Sequence, residues 1–166
     1  MMQNRPISAL DKALRLLSAR AYSSGELNQR LIRAGYPPEE AAAAVEECRQ
    51  RHYLDDRMFA EDCAGMWLER GHGTRSIRNK LRQRGVSSEL AADVLSLSSE
   101  HETEAACRAI ESKLASLLRE KDLRKRKAKA LRFLAARGFS GDAVGEAMKR
   151  LSAADAASDN DSLLDG

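Results

Sequence analysis

Apolar residues recur along this chain at helical spacing, and the pattern itself comes back twice. Leu10, Leu14 and Leu17 fall on one face of a first helix, with Ser8 placed to cap it. Ser23-Ser24-Gly25-Glu26 reads as a capping box, Ser23 at the cap and Glu26 three on, for a second helix carrying Leu27 and Leu31 and stopping at Gly35. Tyr36-Pro37-Pro38-Glu39-Glu40 restarts a third, with proline in its first turn and Ala41, Ala44, Val45 and Cys48 on its inner side.

The same order then repeats. Leu10, Ala60 and Ile110 are each 50 residues apart, as are Leu14, Ala64 and Leu114, and Leu17, Trp67 and Leu117. Leu31, Leu81 and Leu134 each stand four residues before a glycine (Gly35, Gly85, Gly138), and Tyr36, Val86 and Phe139 follow those glycines. Ala41, Ala91 and Val144 come six residues after the glycines, and Val45, Leu95 and Met148 ten after. A glycine that turns left-handed ends a helix without steric cost, and the apolar residue after it folds back on the last turn. The third unit carries about three extra residues near Arg119 to Lys125, and Ser99-Glu100-His101-Glu102 reads as the capping box that opens it.

This spacing predicts an all-α fold of three tandem three-helix repeats, at 6–50, 51–98 and 99–151, which share a core and form an elongated, curved molecule. Residues 152–166, rich in Ala, Ser and Asp, are expected to be a disordered acidic tail. Composition agrees with helices: 43% of residues are hydrophobic but only 4% aromatic, so the core is mostly Leu and Ala. Cys48, Cys63 and Cys107 are odd in number and lack any CxxC, which argues against a disulfide framework and places them in or beside the core. No apolar run approaches about 18 residues, so the expectation is a soluble, cytoplasmic protein.

Charge changes the picture more. The net value is only +3, yet Arg70 to Arg84 holds six basic residues and no acid, and Arg119 to Arg137 holds nine against Glu120 and Asp122. On a wheel at about 100° per residue, Ile77 and Leu81 form an inner side while Arg75, Arg78 and Arg82 cluster on the other. In the third unit Leu131 and Leu134, with Ala130, are expected to point inward, and Lys125, Lys129 and Arg132 outward. Two such stripes suit a partner bearing phosphates or carboxylates. No GxxxxGK[ST], HExxH or GxSxG is present, and no metal, cofactor or catalytic constellation is expected. Asp55 and Asp56 are read as caps of the helix they open, and Trp67 as core.

Tyr53-Leu54-Asp55-Asp56 followed by Phe59-Ala60, then Gly73-Thr74-Arg75-Ser76-Ile77-Arg78 and Leu81-Arg82-Gln83-Arg84-Gly85-Val86, resembles the signature of the RecX regulatory proteins. The resemblance covers Leu10 to about Leu151. It implies a cytoplasmic, non-enzymatic regulator that binds RecA filaments on DNA, limits their growth, and damps ATP hydrolysis, strand exchange and the SOS response. Arg75, Arg78, Arg82, Lys125, Lys129 and Arg132 are then the expected contact to filament and nucleic acid, with the protein acting as a monomer. The alternative is a helical protein that binds DNA directly through phosphates, without reading sequence.

Overall fold

The computed structural model describes residues 7–161, and their side chains as far as Ala157. Regular structure among the described residues is entirely helical: α1 (Ala9–Ala19), α2 (Ser24–Arg33), α3 (Pro38–Gln50), α4 (Asp56–Glu69), α5 (Thr74–Gln83), α6 (Ser88–Ser96), α7 (Ser99–Leu118), α8 (Leu123–Ala136) and α9 (Gly141–Asp161). The expected order of three helices taken three times is therefore present. Packing gathers them into two compact units. One takes the chain up to Cys63 together with Lys80–Ala92; the other takes Ala64–Asn79 and the chain from Asp93 onward. The division falls within each of the middle three helices, α4, α5 and α6.

The repeat glycines end their helices as the spacing predicts. Gly35, Gly85 and Gly138 have φ of +97°, +77° and +77°. The residue after each donates back over the last turn, Tyr36 to the Leu31 carbonyl at 3.3 Å, Val86 to Leu81 at 3.0 Å and Phe139 to Leu134 at 3.3 Å. Each carbonyl acceptor belongs to a leucine that is fully buried, so the turn and the core position specify one another.

In the first unit, α1, α2 and α3 close around Ala9, Ala13, Leu27, Leu31, Ala41, Ala44 and Cys48, with Leu10, Leu14 and Leu17 only partly buried against them. The Ser8 hydroxyl accepts from the Asp11 amide at 3.1 Å, capping α1. Half of the expected capping box on α2 is made: Ser23 Oγ accepts from the Glu26 amide at 3.0 Å. The other half is not. Ser23 Oγ donates to the Arg84 carbonyl, and the Glu26 carboxylate goes to Arg20 at 2.7 Å and Arg84 at 2.9 Å. The Arg84 guanidinium also lies over the Phe59 ring, 4.9 Å from its centroid.

Burial pulls the Glu26 carboxyl upward, but the hydrogen bonds and charges of Arg20 and Arg84 outweigh it and hold it below its ordinary value of 4.5. A carboxyl depressed on folding adds stability above its unfolded pKa and loses it as pH falls through the folded one. Acidification below about 4.5 is thus expected to withdraw this contribution in the native protein and not in Glu26→Gln, so the two stability–pH curves converge at low pH. Urea midpoints measured over that range test it; parallel curves would show the pairing to be inert.

Asp55 caps α4 as read, its Oδ1 accepting from the Met58 amide at 3.0 Å. Asp56 does not. Its carboxylate turns away and accepts from the Ser24 amide at 2.6 Å, so it caps α2, 32 residues earlier. Of the apolar pair before them, Leu54 is buried and Tyr53 is exposed. Phe59, Cys63 and Trp67 form the inner side of α4, whereas Met66 stays at the surface.

In the second unit, α7 and α9 pack along each other, burying Ala105, Ala106, Ala109, Ile110 and Leu117 against Ala143, Ala147 and Leu151. The inner face of α9 is one residue out of the expected register: Ala143 and Ala147 are buried, while Val144 and Met148 are only partly covered. Small residues let the two helices approach closely, and the wider Val and Met lie at the flank.

Two expectations here are overturned. The Ser99/Glu102 capping box is not formed; Ser98 stands at the cap, its Oγ donating back to the Val94 carbonyl at 3.3 Å and capping no amide of α7, and Glu102 is buried. Residues 152–161 are helical as the end of α9, not a disordered tail. Leu151 is fully buried there and Asp155 forms a buried ion pair with Arg126 of α8, which anchors α9 as far as Asp155; residues 162–166 lie outside the described residues. All three cysteines are buried and free, and burial pushes the Cys48 and Cys63 thiols up.

Candidate functional site

Helix α5 is amphipathic in the way its spacing demands. Ile77 and Leu81 are completely buried, each contributing about 1.5–3 kcal/mol by leaving water. Arg75, Arg78 and Arg82 are exposed. The helix start is fixed by bonds from three successive backbone amides. The Thr74 amide donates to Glu102 Oε1 at 2.7 Å; the Gly73 amide donates to the Arg137 carbonyl at 2.8 Å and Arg75 to Gly138 at 3.1 Å. Its arginines therefore stand on a rigid mount and not on a loop.

Glu102 does the same for a second helix, its Oε1 accepting from the Ser140 amide at 3.0 Å ahead of α9. A carboxylate between two helix N-termini meets both sets of unpaired amides and the positive ends of both dipoles. Asp56 plays the corresponding part for α2. Sequence reasoning missed this role in both acids. The available signal was that each stands near the start of the first helix of its unit, just where the preceding unit needs an acceptor.

Helix α8 begins at Asp122, whose carboxylate accepts from the Arg124 and Lys125 amides at 2.9 and 3.2 Å. Ala130 and Leu134 are fully buried. Lys125, Lys129 and Arg132 lie outward, as read, with Arg132 Nε donating to the Ala128 carbonyl at 3.3 Å. Leu131 was expected inside and is not: it is 45% exposed. It sits about 100° round the helix from Ala130, and the inner face is completed instead by Arg126, whose side chain reaches Asp155 and the Glu120 carbonyl.

The cations on these two faces share one property. Arg75, Arg78, Arg82, Lys125 and Lys129 have no ion-pair partner among the described residues. Other surface bases do: Arg49 with Glu46 at 3.3 Å, Arg51 with Glu47 at 2.6 Å, Lys149 with Glu146 at 2.5 Å, Arg150 with Glu111 at 2.7 Å. Uncompensated like charges at i, i+3 and i+4 cost a helix a few tenths of a kcal/mol each, which a polyanionic partner would relieve. Asp55 and Asp56, by contrast, are each engaged with a backbone amide. No group of three or more His, Cys, Asp or Glu positioned to hold a metal ion occurs among the described residues. Trp67 is buried.

What the fold and its surface define is a helical-repeat protein, three helices to a repeat, that displays cations on rigid helices. The models of the RecX family match it piece by piece: the first three-helix domain over residues 9–48, the second over 55–95 and the third over 100–148. The chain belongs to the RecX family. It is 34% identical over 147 residues to the regulatory protein RecX of Chromohalobacter salexigens, covering 89% of this chain and 95% of that one. It is 33% identical to that of Vibrio parahaemolyticus (86% and 90% covered), and 34% identical to that of Chlorobaculum tepidum (90% and 91%). In fold it is similar to the crystal structure of RecX from Lactobacillus salivarius, with a TM-score of 0.79 at 20% identity over 87% of this chain and 94% of that one. A second crystal structure, of regulatory protein RecX, gives 0.75 at 22% identity, over 85% and 71%. No helix among the described residues is long and apolar enough to cross a membrane.

Proposed function

We propose that this protein is a non-enzymatic regulator that binds RecA filaments on DNA and inhibits their extension, and with it ATP hydrolysis and strand exchange. Its relatives are regulatory proteins by name, and the observation that carries the reading further is the set of cations on α5 and α8 left without anionic partners among the described residues. Arg75, Arg78, Arg82, Lys125, Lys129 and Arg132 meet DNA phosphate and acidic protein surface in this reading, and a regulator so placed obstructs the seat of the next recombinase subunit.

The charge-reversed pair Arg75→Glu and Arg78→Glu is expected to keep full helicity by circular dichroism, because neither side chain enters the core, and to lose inhibition of RecA-catalysed ATP hydrolysis. Inhibition that survives in the folded variant would reduce the α5 stripe to a solvated face. Salt dependence separates the two partners. If all six cations act on single-strand phosphates alone, log K falls with log salt at a slope near about −4. A shallow slope, with tight binding only when recombinase is present, assigns the affinity to protein contact; a steep one without recombinase favours the direct DNA binder.

A further inference from the structure

A cavity of about 340 Å³ in the second unit is used by nothing described so far. It opens where the end of α4, one face of α7 and the last turns of α8 meet. Leu68, Ala105 and Ala109 are buried and give it an apolar floor; Phe133, Arg70, Arg108 and Arg137 stand around it, with Glu69 the acid in its lining.

The parts are held unequally. Arg137 is fixed: its Nη1 donates to the Arg70 carbonyl at 3.0 Å and the Gly71 carbonyl at 3.2 Å, and its guanidinium lies over the Phe133 ring, 5.2 Å from the centroid. Lys113 Nζ approaches the same ring at 5.9 Å, the outer limit of such a contact. Arg108 is held by Glu104 alone, at 3.7 Å between two exposed side chains, a pairing worth little in water. The Arg70 guanidinium has no partner among the described residues. One aromatic ring thus faces one firmly held cation, Arg137, while Arg108 and Lys113 are held weakly and Arg70 by no side-chain partner among the described residues.

We propose that this cavity seats one unpaired base of a single DNA strand, stacked against Phe133 over the apolar floor, with the flanking phosphates on Arg70 and Arg108. Cations alone would serve any anion. An aromatic wall and an apolar floor are of no use to phosphate and suit the flat face of a base, which a protein can reach only when the base is out of the duplex stack. Lys113 leaves the ring for the backbone as the base enters. The inference deepens the reading that DNA is a partner, from charge alone to a seat for a base, and its test needs no recombinase.

The full chain is titrated by fluorescence anisotropy with oligothymidylate and with a strand of the same length whose sugar–phosphate backbone carries no bases. The base-bearing strand is expected to bind about tenfold more tightly. Phe133→Leu abolishes that preference and Phe133→Tyr keeps it. Arg70→Ala and Arg108→Ala weaken both strands alike, each flattening the salt slope by about 0.7. Equal affinity of the native protein for the two strands, no binding of either, or a preference retained in Phe133→Leu overturns the proposal. Should Phe133→Leu fail to fold, the native comparison of the two strands still decides. Loss of recombinase inhibition in the Arg75/Arg78 variant, with no base preference here, removes this seat and leaves the phosphate reading standing.

Discussion

Alanine at Gly73 is expected to destabilise the second unit by about 3 kcal/mol, the upper end of what overpacking costs. The reason is backbone meeting backbone. A Cβ at Gly73 would overlap main-chain atoms of Gly138 and Phe139, and neither can retreat. Gly138 is a left-handed helix stop at φ +77°, and Phe139 is buried. The amide of Gly73 is itself committed to the Arg137 carbonyl at 2.8 Å. Two controls separate crowding from propensity. Gly35→Ala meets nothing within 4 Å and pays only for φ +97°, about 1–2 kcal/mol. Gly65→Ala, inside α4 with open space around it, should raise stability by up to about 1 kcal/mol. Urea denaturation of the three variants gives the order directly, and a Gly73→Ala protein as stable as the parent would mean that this close approach does not exist.

Removing the Glu102 carboxylate should cost nearly as much. Glu102→Ala leaves the amides of Thr74 and Ser140 without the acceptor they share at 2.7 and 3.0 Å. A hydrogen bond to a charged group contributes about 1.5–3 kcal/mol, and a buried amide left bare costs more than one that never had a partner. About 3 kcal/mol is expected for Ala and about 1 kcal/mol for Gln, which keeps the carbonyl oxygen and gives up the charge. Amide hydrogen exchange gives the sharper readout: protection at Thr74 and Ser140 should fall together in Glu102→Ala, although 66 residues separate them in the chain. Loss at one site alone would show that the carboxylate serves a single helix.

The helices and their order were readable because both rest on local rules. Ser8 caps, Gly35, Gly85 and Gly138 stop, and Leu31, Leu81 and Leu134 fill the core four residues earlier; each decision involves neighbours within a turn or two. The α5 stripe was readable for the same reason, since Ile77 and Leu81 can be buried only if Arg75, Arg78 and Arg82 are not. The errors come where a side chain answers to a distant partner. Asp56 and Glu102 resemble caps for their own helices, but an acid at a helix start can equally serve another helix whose amides are unmet, and only their matching places in successive repeats hint at that. Asp155 sits in a stretch whose composition reads as a tail; one buried pairing with Arg126 and the apolar seat of Leu151 are enough to continue the helix past it. Leu131 failed by geometry of a simpler sort: with Ala130 filling the inner line of α8, the face is too narrow to take in a residue one step round. The cavity beside Phe133 was invisible for another reason, since its parts come from α4, α7 and α8 and share no motif.

The central claim is that this chain restrains a recombinase filament by laying uncompensated cations against it. The direct measurement is ATP hydrolysis by RecA on single-stranded DNA, with this protein added well below the concentration of RecA. Hydrolysis should decline progressively at these substoichiometric amounts, because in the proposed reading one regulator blocks the addition of many subunits. Hydrolysis that continues at its full rate, with the added protein shown to be helical and folded, would contradict the account.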